Sequence, residues 1–184
     1  MTNAHELNRR MELWGLCLNC AEHIPGTQPA DYCRHVANLL YGTASVESGL
    51  IARRQYGYDY LTPGGAWGLW QIEAISVRNT IQKLAARADL ERALALWLFQ
   101  GAPVDVSWWK LWSVSEICRA MTHDDRLACA FARLHYYWHA EPVPSRLGEQ
   151  AAYWKRYYNT VAGKGTEEAY MLAYEKYRPS FGGD

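Results

Sequence analysis

Apolar side chains recur along most of this chain at steps of three and four, the repeat of a helix that buries one face. Leu7, Met11, Trp14, Leu18 and Ala21 form the first stripe, and Pro25-Gly26 closes it, which predicts a helix over about 5–23. Pro29 suits a first helical position, and Val36, Leu39, Leu40, Thr43 and Val46 carry a second stripe up to Glu47-Ser48-Gly49, so that a glycine ends this helix just beyond a glutamate. From Ile51 to Trp67 the repeat fails. Tyr56-Gly57-Tyr58-Asp59-Tyr60 and Thr62-Pro63-Gly64-Gly65 predict an aromatic-studded loop or short hairpin there. Further helices are predicted over 70–86, over 90–100 with Asp89 as cap, and over 107–121, the last crowded with Trp108, Trp109 and Trp112. Asp124 and Asp125 open a helix whose stripe is Leu127, Phe131, Leu134 and Trp138, with Pro142 and Pro144 beyond its end. Ser145 caps another that carries Leu147, Ala151, Trp154, Tyr158 and Val161 and ends at Gly163, and Thr166-Glu167-Glu168 opens the last. No stretch alternates like a long strand. The expected architecture is mainly α, with seven or eight helices and at most a small β element or loop near 51–66.

Composition narrows the class. At 184 residues the chain is expected to form one domain over 1–184, with 1–28 as an N-terminal helical extension packed on it. Hydrophobic residues make up 49 %, enough apolar surface to exclude wholesale disorder. Lys+Arg and Asp+Glu both number 19, and no basic block is present to follow a phosphate backbone, which argues against a nucleic-acid partner. Polar residues interrupt every apolar run well short of the roughly 20 residues a membrane span needs, so a soluble protein without stable membrane insertion is expected. Met1 to Cys20 carries Glu6, Arg9, Arg10 and Glu12 through its middle, unlike a secretory signal, and the expectation is synthesis in the cytoplasm.

The five cysteines, Cys17, Cys20, Cys33, Cys118 and Cys129, are odd in number and lie on helix-like patterns, which suits reduced core thiols. Cys17, Cys20, His23, Cys33 and His35 have the ligand types of a zinc site, but Cys17 and Cys20 share an apolar stripe with Leu13 and Ile24, and core packing is the preferred reading. His135 and His139 lie one turn apart without the glutamate of a metalloprotease helix, so no metal and no cofactor is expected. Gly163-Lys164-Gly165-Thr166 lacks the first glycine and the preceding strand of a phosphate loop, and reads as a turn between helices. Nucleophile-elbow and dinucleotide signatures are absent.

The informative pair is Glu47-Ser48-Gly49 at a helix end and Gly68-Leu69-Trp70-Gln71-Ile72 after the loop. Together they resemble the lysozyme-like fold of lytic transglycosylases and goose-type lysozymes, in which a helix-terminal "ES" precedes "G-L-M-Q-I/V" and the glutamate is the catalytic acid. Three later stretches follow in the same order. Asp124 to Tyr137 is similar to the family's "D-x-x-L-N-x-x-x-G-x-x-Y" helix, Tyr157-Tyr158-Asn159-Thr160 stands where "A-Y-N-A-G" would be, and Glu167 to Met171 resembles "E-T-R-x-Y-V". The likeness covers roughly residues 35–175. It departs from the pattern at Trp70 for methionine, at Ala128 and Ala132 for asparagine and glycine, at Thr160, and in a longer interval between Glu47 and Gly68.

The resemblance implies cleavage of the β-1,4 bond between N-acetylmuramic acid and N-acetylglucosamine in peptidoglycan, with Glu47 as general acid and base. Such an acid must stay protonated near neutral pH, and Val46, Leu50, Trp67 and Trp70 are expected to supply the apolar surroundings that raise its pKa. The bland alternative is a glutamate that only caps or salt-bridges a helix end. Gln71 and Asn159 are expected at the acetamido groups of the sugar, or else on backbone, with Ser48, Trp70, Tyr158, Tyr170 and Tyr60 as further substrate contacts. A transglycosylase closes the substrate on itself to a 1,6-anhydro end, whereas a goose-type lysozyme adds water with a second carboxylate. Glu73, directly after Ile72, and Asp59 in the loop are the candidates for that second group, and Glu73 serves equally well as a surface residue. Without an export signal, a wall-cleaving enzyme fits a bacteriophage endolysin or virion-borne enzyme, alongside other tail or internal virion proteins, or a secreted antibacterial effector. A non-catalytic glycan-binding or structural virion protein is the alternative from another class.

Overall fold

The computed structural model describes residues 3–25, 28–55, 57, 64–101, 108–160 and 163–179. Among these the chain is mainly helical: α1 (Ala4–His23), α2 (Ala30–Ser48), α3 (Ala74–Leu84), α4 (Ala88–Leu98), α5 (Val114–Ala120), α6 (Asp125–Tyr137), α7 (Leu147–Trp154) and α8 (Glu167–Tyr177). The β content is one antiparallel pair, β1 (Ala66–Trp67) and β2 (Ile72–Glu73), joined by the tight turn over 68–71. No helix among the described residues is long and apolar enough to cross a membrane.

Two helices carry the architecture. α2 packs against α1, α6, α7 and α8, and α6 against α1, α2, α3, α4 and β2. The stripe on α6 predicts one buried face, yet every residue from Leu127 to Leu134 is buried. Ala128, Cys129, Ala130 and Ala132 are small enough for neighbours to close on the helix from all sides, which periodicity alone does not reveal. Leu13, Cys17, Cys20 and Ala21 of α1 enter the same core cluster as residues of α2, α6, α7 and α8.

All five cysteines are buried and free. Cys129 lies beside Cys17 and Cys20, and burial holds its thiol protonated, while the Cys33 thiol points at the carbonyl oxygens of Ala21 and Gln28. Among the described residues no cluster of three metal-ligating side chains forms, and His135 Nε2 lies 2.8 Å from the Tyr157 carbonyl oxygen.

Several expected boundaries move. α3 begins at Ala74 rather than 70 because Gly68 and Gln71 take left-handed backbone (φ 70° and 49°) and turn the chain into β2. The expected 107–121 helix divides into a 3₁₀ turn over Trp108–Leu111 and α5, because Ser113 and Glu116 form a reciprocal capping box that starts a new helix. Asp89 is not the cap of α4. Arg87 occupies that position, and Asp89, inside the first turn, accepts two bonds from its guanidinium at 2.9 and 2.7 Å. Ser145 likewise lies one residue short of the Arg146 cap of α7, and the helix passes at Lys155–Asn159 into a π turn. Asp124 and Thr166 do cap α6 and α8 through their side chains.

Candidate functional site

Glu47 sits half-buried in the last turn of α2, where the partial negative charge of the helix C-terminus already disfavours a carboxylate. Gly49 ends the helix in left-handed conformation (φ 59°), its N–H bonded to the Ser45 carbonyl oxygen at 3.1 Å. From α7, Trp154 donates its indole N–H to Glu47 Oε1 at 3.1 Å. Burial pushes the Glu47 carboxyl up to about 7; the Trp154 bond works against the rise and the charge of Glu73 adds to it.

An aromatic layer backs this acid. The Tyr158 hydroxyl donates to the Trp70 carbonyl oxygen at 2.7 Å, and its ring lies 5.3 Å from that of Tyr136, whose hydroxyl meets Thr43 Oγ1 at 2.8 Å. Burial first, and the nearby Glu47 charge in addition, hold both phenols well above their ordinary range, so they stay neutral. Trp154 in turn stacks on Tyr170 with ring centres 5.4 Å apart.

The turn that follows is fixed by cations. Arg54 is buried with its guanidinium 3.3 Å from the centre of the Trp67 ring, and it donates to the carbonyl oxygens of Ala66 and Gly64 at 3.1 and 2.9 Å. Arg53 forms a two-pronged pair with Asp125 of α6, and its carbonyl oxygen accepts the Gly68 N–H at 3.0 Å. A Cβ at Gly68 would lie 2.8 Å from the Met121 carbonyl oxygen and 2.9 Å from Ala128 Cβ, so glycine is required here by both space and φ.

Of the expected site residues, the structure brings Glu47, Tyr158 and the more exposed Glu73 into one electrostatic neighbourhood. Glu73 caps α3 without a side-chain bond. Gln71 turns its amide on backbone, donating to the carbonyl oxygens of Gly68 at 2.8 Å and Ala52 at 3.3 Å. Ser48 Oγ donates to the Ala44 carbonyl oxygen, and Asn159 Oδ1 accepts from Lys155 Nζ at 2.9 Å. Two expected substrate contacts are corrected. Trp70 is fully buried with its indole N–H on the Leu40 carbonyl oxygen at 2.8 Å, and Tyr170 is fully buried beneath Gly42, so no sugar face can reach either. Asp59 and Tyr60, with Tyr56 and Tyr58, lie outside the described residues.

Trp154 and Tyr136 are the residues that sequence reasoning missed as partners of the acid. Trp154 stood out only as one member of a helical stripe, and its contact with Glu47 spans 107 positions. Comparison of the chain with protein-family models, with curated proteins and with solved structures finds no match.

Proposed function

We propose that the protein cleaves the β-1,4 linkage between N-acetylmuramic acid and N-acetylglucosamine of peptidoglycan, with Glu47 as general acid and base. The observation that carries this reading is a helix-terminal glutamate held near pKa 7 by burial in an aromatic setting, with one oriented donor on its carboxyl. In the transglycosylase form, Glu47 gives its proton to the glycosidic oxygen as the bond from C1 breaks. The resulting carboxylate takes the proton of the muramic acid C6 hydroxyl, whose oxygen closes on C1. A 1,6-anhydro end forms and no water is consumed. Among the described residues Glu47 is the carboxyl that its surroundings push upward, which favours this form. The influence of Glu73 on Glu47 favours the second reading, a hydrolytic muramidase in which Glu73 assists a water. Either activity suits a bacteriophage enzyme acting on the wall from an endolysin or a particle.

The test is a digest of purified peptidoglycan with the protein and with Glu47→Gln, read by mass spectrometry. Soluble fragments one water lighter than hydrolysis products, absent with the variant, are expected. Reducing ends would assign the hydrolytic form and make Glu73→Gln the next variant. Release of neither kind would leave a glycan-binding or structural protein and overturn the enzymatic reading.

A further inference from the structure

Arg133 lies in the central run of α6 and is only 2 % exposed. Its Nε donates to the Ile24 carbonyl oxygen at 2.9 Å, and its guanidinium carbon lies 5.7 Å from the centre of the Tyr137 ring. Among the described residues the two terminal nitrogens have no acceptor and no carboxylate pairs with the side chain. Burial draws its pKa down, but a guanidinium keeps its proton. A buried cation without a counter-ion is costly, and such groups are retained where something completes them.

Arg133 lines a cavity of about 240 Å³ together with Tyr32, Tyr136, Tyr137, Tyr153, His139 and Glu141. Glu141 does not supply the missing charge, because its carboxylate is taken by Arg156 at 2.8 and 3.1 Å. Burial and the neighbouring His135 hold His139 towards its neutral form, and the Tyr153 hydroxyl is spent on the Glu141 carbonyl oxygen at 3.0 Å. With Nε committed to Ile24, the guanidinium retains one fork, the end-on pair of terminal nitrogens, which matches the two oxygens of a carboxylate. The volume falls below the roughly 300–1,000 Å³ of sites for drug-sized ligands, so the occupant is small.

We propose that this cavity binds a carboxylate-bearing ligand of amino-acid or peptide-end size, gripped end-on by Arg133 and flanked by the tyrosine rings. The carboxylate has two possible sources, the peptide stems of wall glycan or a free small acid. Tyr136 lines the cavity and bonds Thr43, one turn before Glu47, so the two sites share this tyrosine as a wall, while the Glu47 carboxyl is not among the residues that line the cavity.

The experiment is calorimetric titration with N-acetyl-D-alanyl-D-alanine, its L,L isomer, its C-terminal amide, acetate and inorganic phosphate. Saturable binding of the acids and none of the amide is expected. Preference for the D,D form assigns the peptide stem, whereas equal binding of the isomers and acetate assigns a free acid. Arg133→Met and Ala140→Glu, the latter placing a competing carboxylate at an exposed rim position, should each weaken binding at least about tenfold. Matching circular dichroism would show that both variants fold. Glu47→Gln should bind as the parent does, which separates this site from the catalytic proposal. Equal binding of the amide, phosphate competing as well as the acids, no binding at all, or binding retained in both variants would overturn it.

Discussion

The carboxyl of Glu47 ties its environment to two measurable pH effects. A carboxylic acid raised from its unfolded range near 4.5 to about 7 binds more protons folded than unfolded between those values, so stability falls as pH rises through that window. Glu47→Gln removes the penalty, and the variant should gain stability relative to the parent by about 3 kcal/mol between pH 4 and pH 8, read from urea midpoints. Wall-cleaving activity, if Glu47 acts as the acid, should fall about tenfold per pH unit above pH 7. The Trp154 N–H favours the charged form, so Trp154→Phe should move this alkaline limb to higher pH while costing about 1 kcal/mol of stability. A shift to lower pH would show that the bond does not act on the carboxylate. The place of Glu47 at a helix end was legible from the second apolar stripe and from Gly49 beyond it. The roles of Trp70 and Tyr170 were not, because a large aromatic near a motif looks the same in sequence whether it meets a ligand or fills the core.

At the scale of elements, local chemistry won wherever a cap was strong. Asp124 and Thr166 start their helices as expected, and the Ser113–Glu116 box divides a stretch that periodicity alone had joined. The turn from Gly68 to Gln71 escaped the helical pattern because two left-handed residues reverse the chain within four positions. Its tightness makes a sharp prediction. Gly68→Ala combines a disfavoured φ with contacts under 3 Å to Met121 and Ala128, and should cost about 2–4 kcal/mol in urea denaturation. A cost below 1 kcal/mol would mean that the turn can relax away from α6.

For the whole molecule, α2 and α6 are wrapped by the other helices, and α1 is built into the same core. The buried free cysteines spread over α1, α2, α5 and α6 report on that packing. A thiol reagent should modify none of them in the native protein and all five after denaturation, with reaction rates that follow global opening. Rapid labelling of Cys17 or Cys20 alone would show that α1 opens independently. What the sequence by itself determined was the helical repeat, most helix positions, the thiol character of the core and the acid at the end of α2, since each follows from spacing and capping within a few residues. Only the tertiary structure decided which aromatics are buried, that Trp154 meets Glu47, that Arg133 lines a tyrosine-walled cavity, and that α6 is enclosed over its central run. Those outcomes depend on contacts between residues far apart in the chain, where volume and hydrogen-bond geometry choose among side chains that local pattern treats alike.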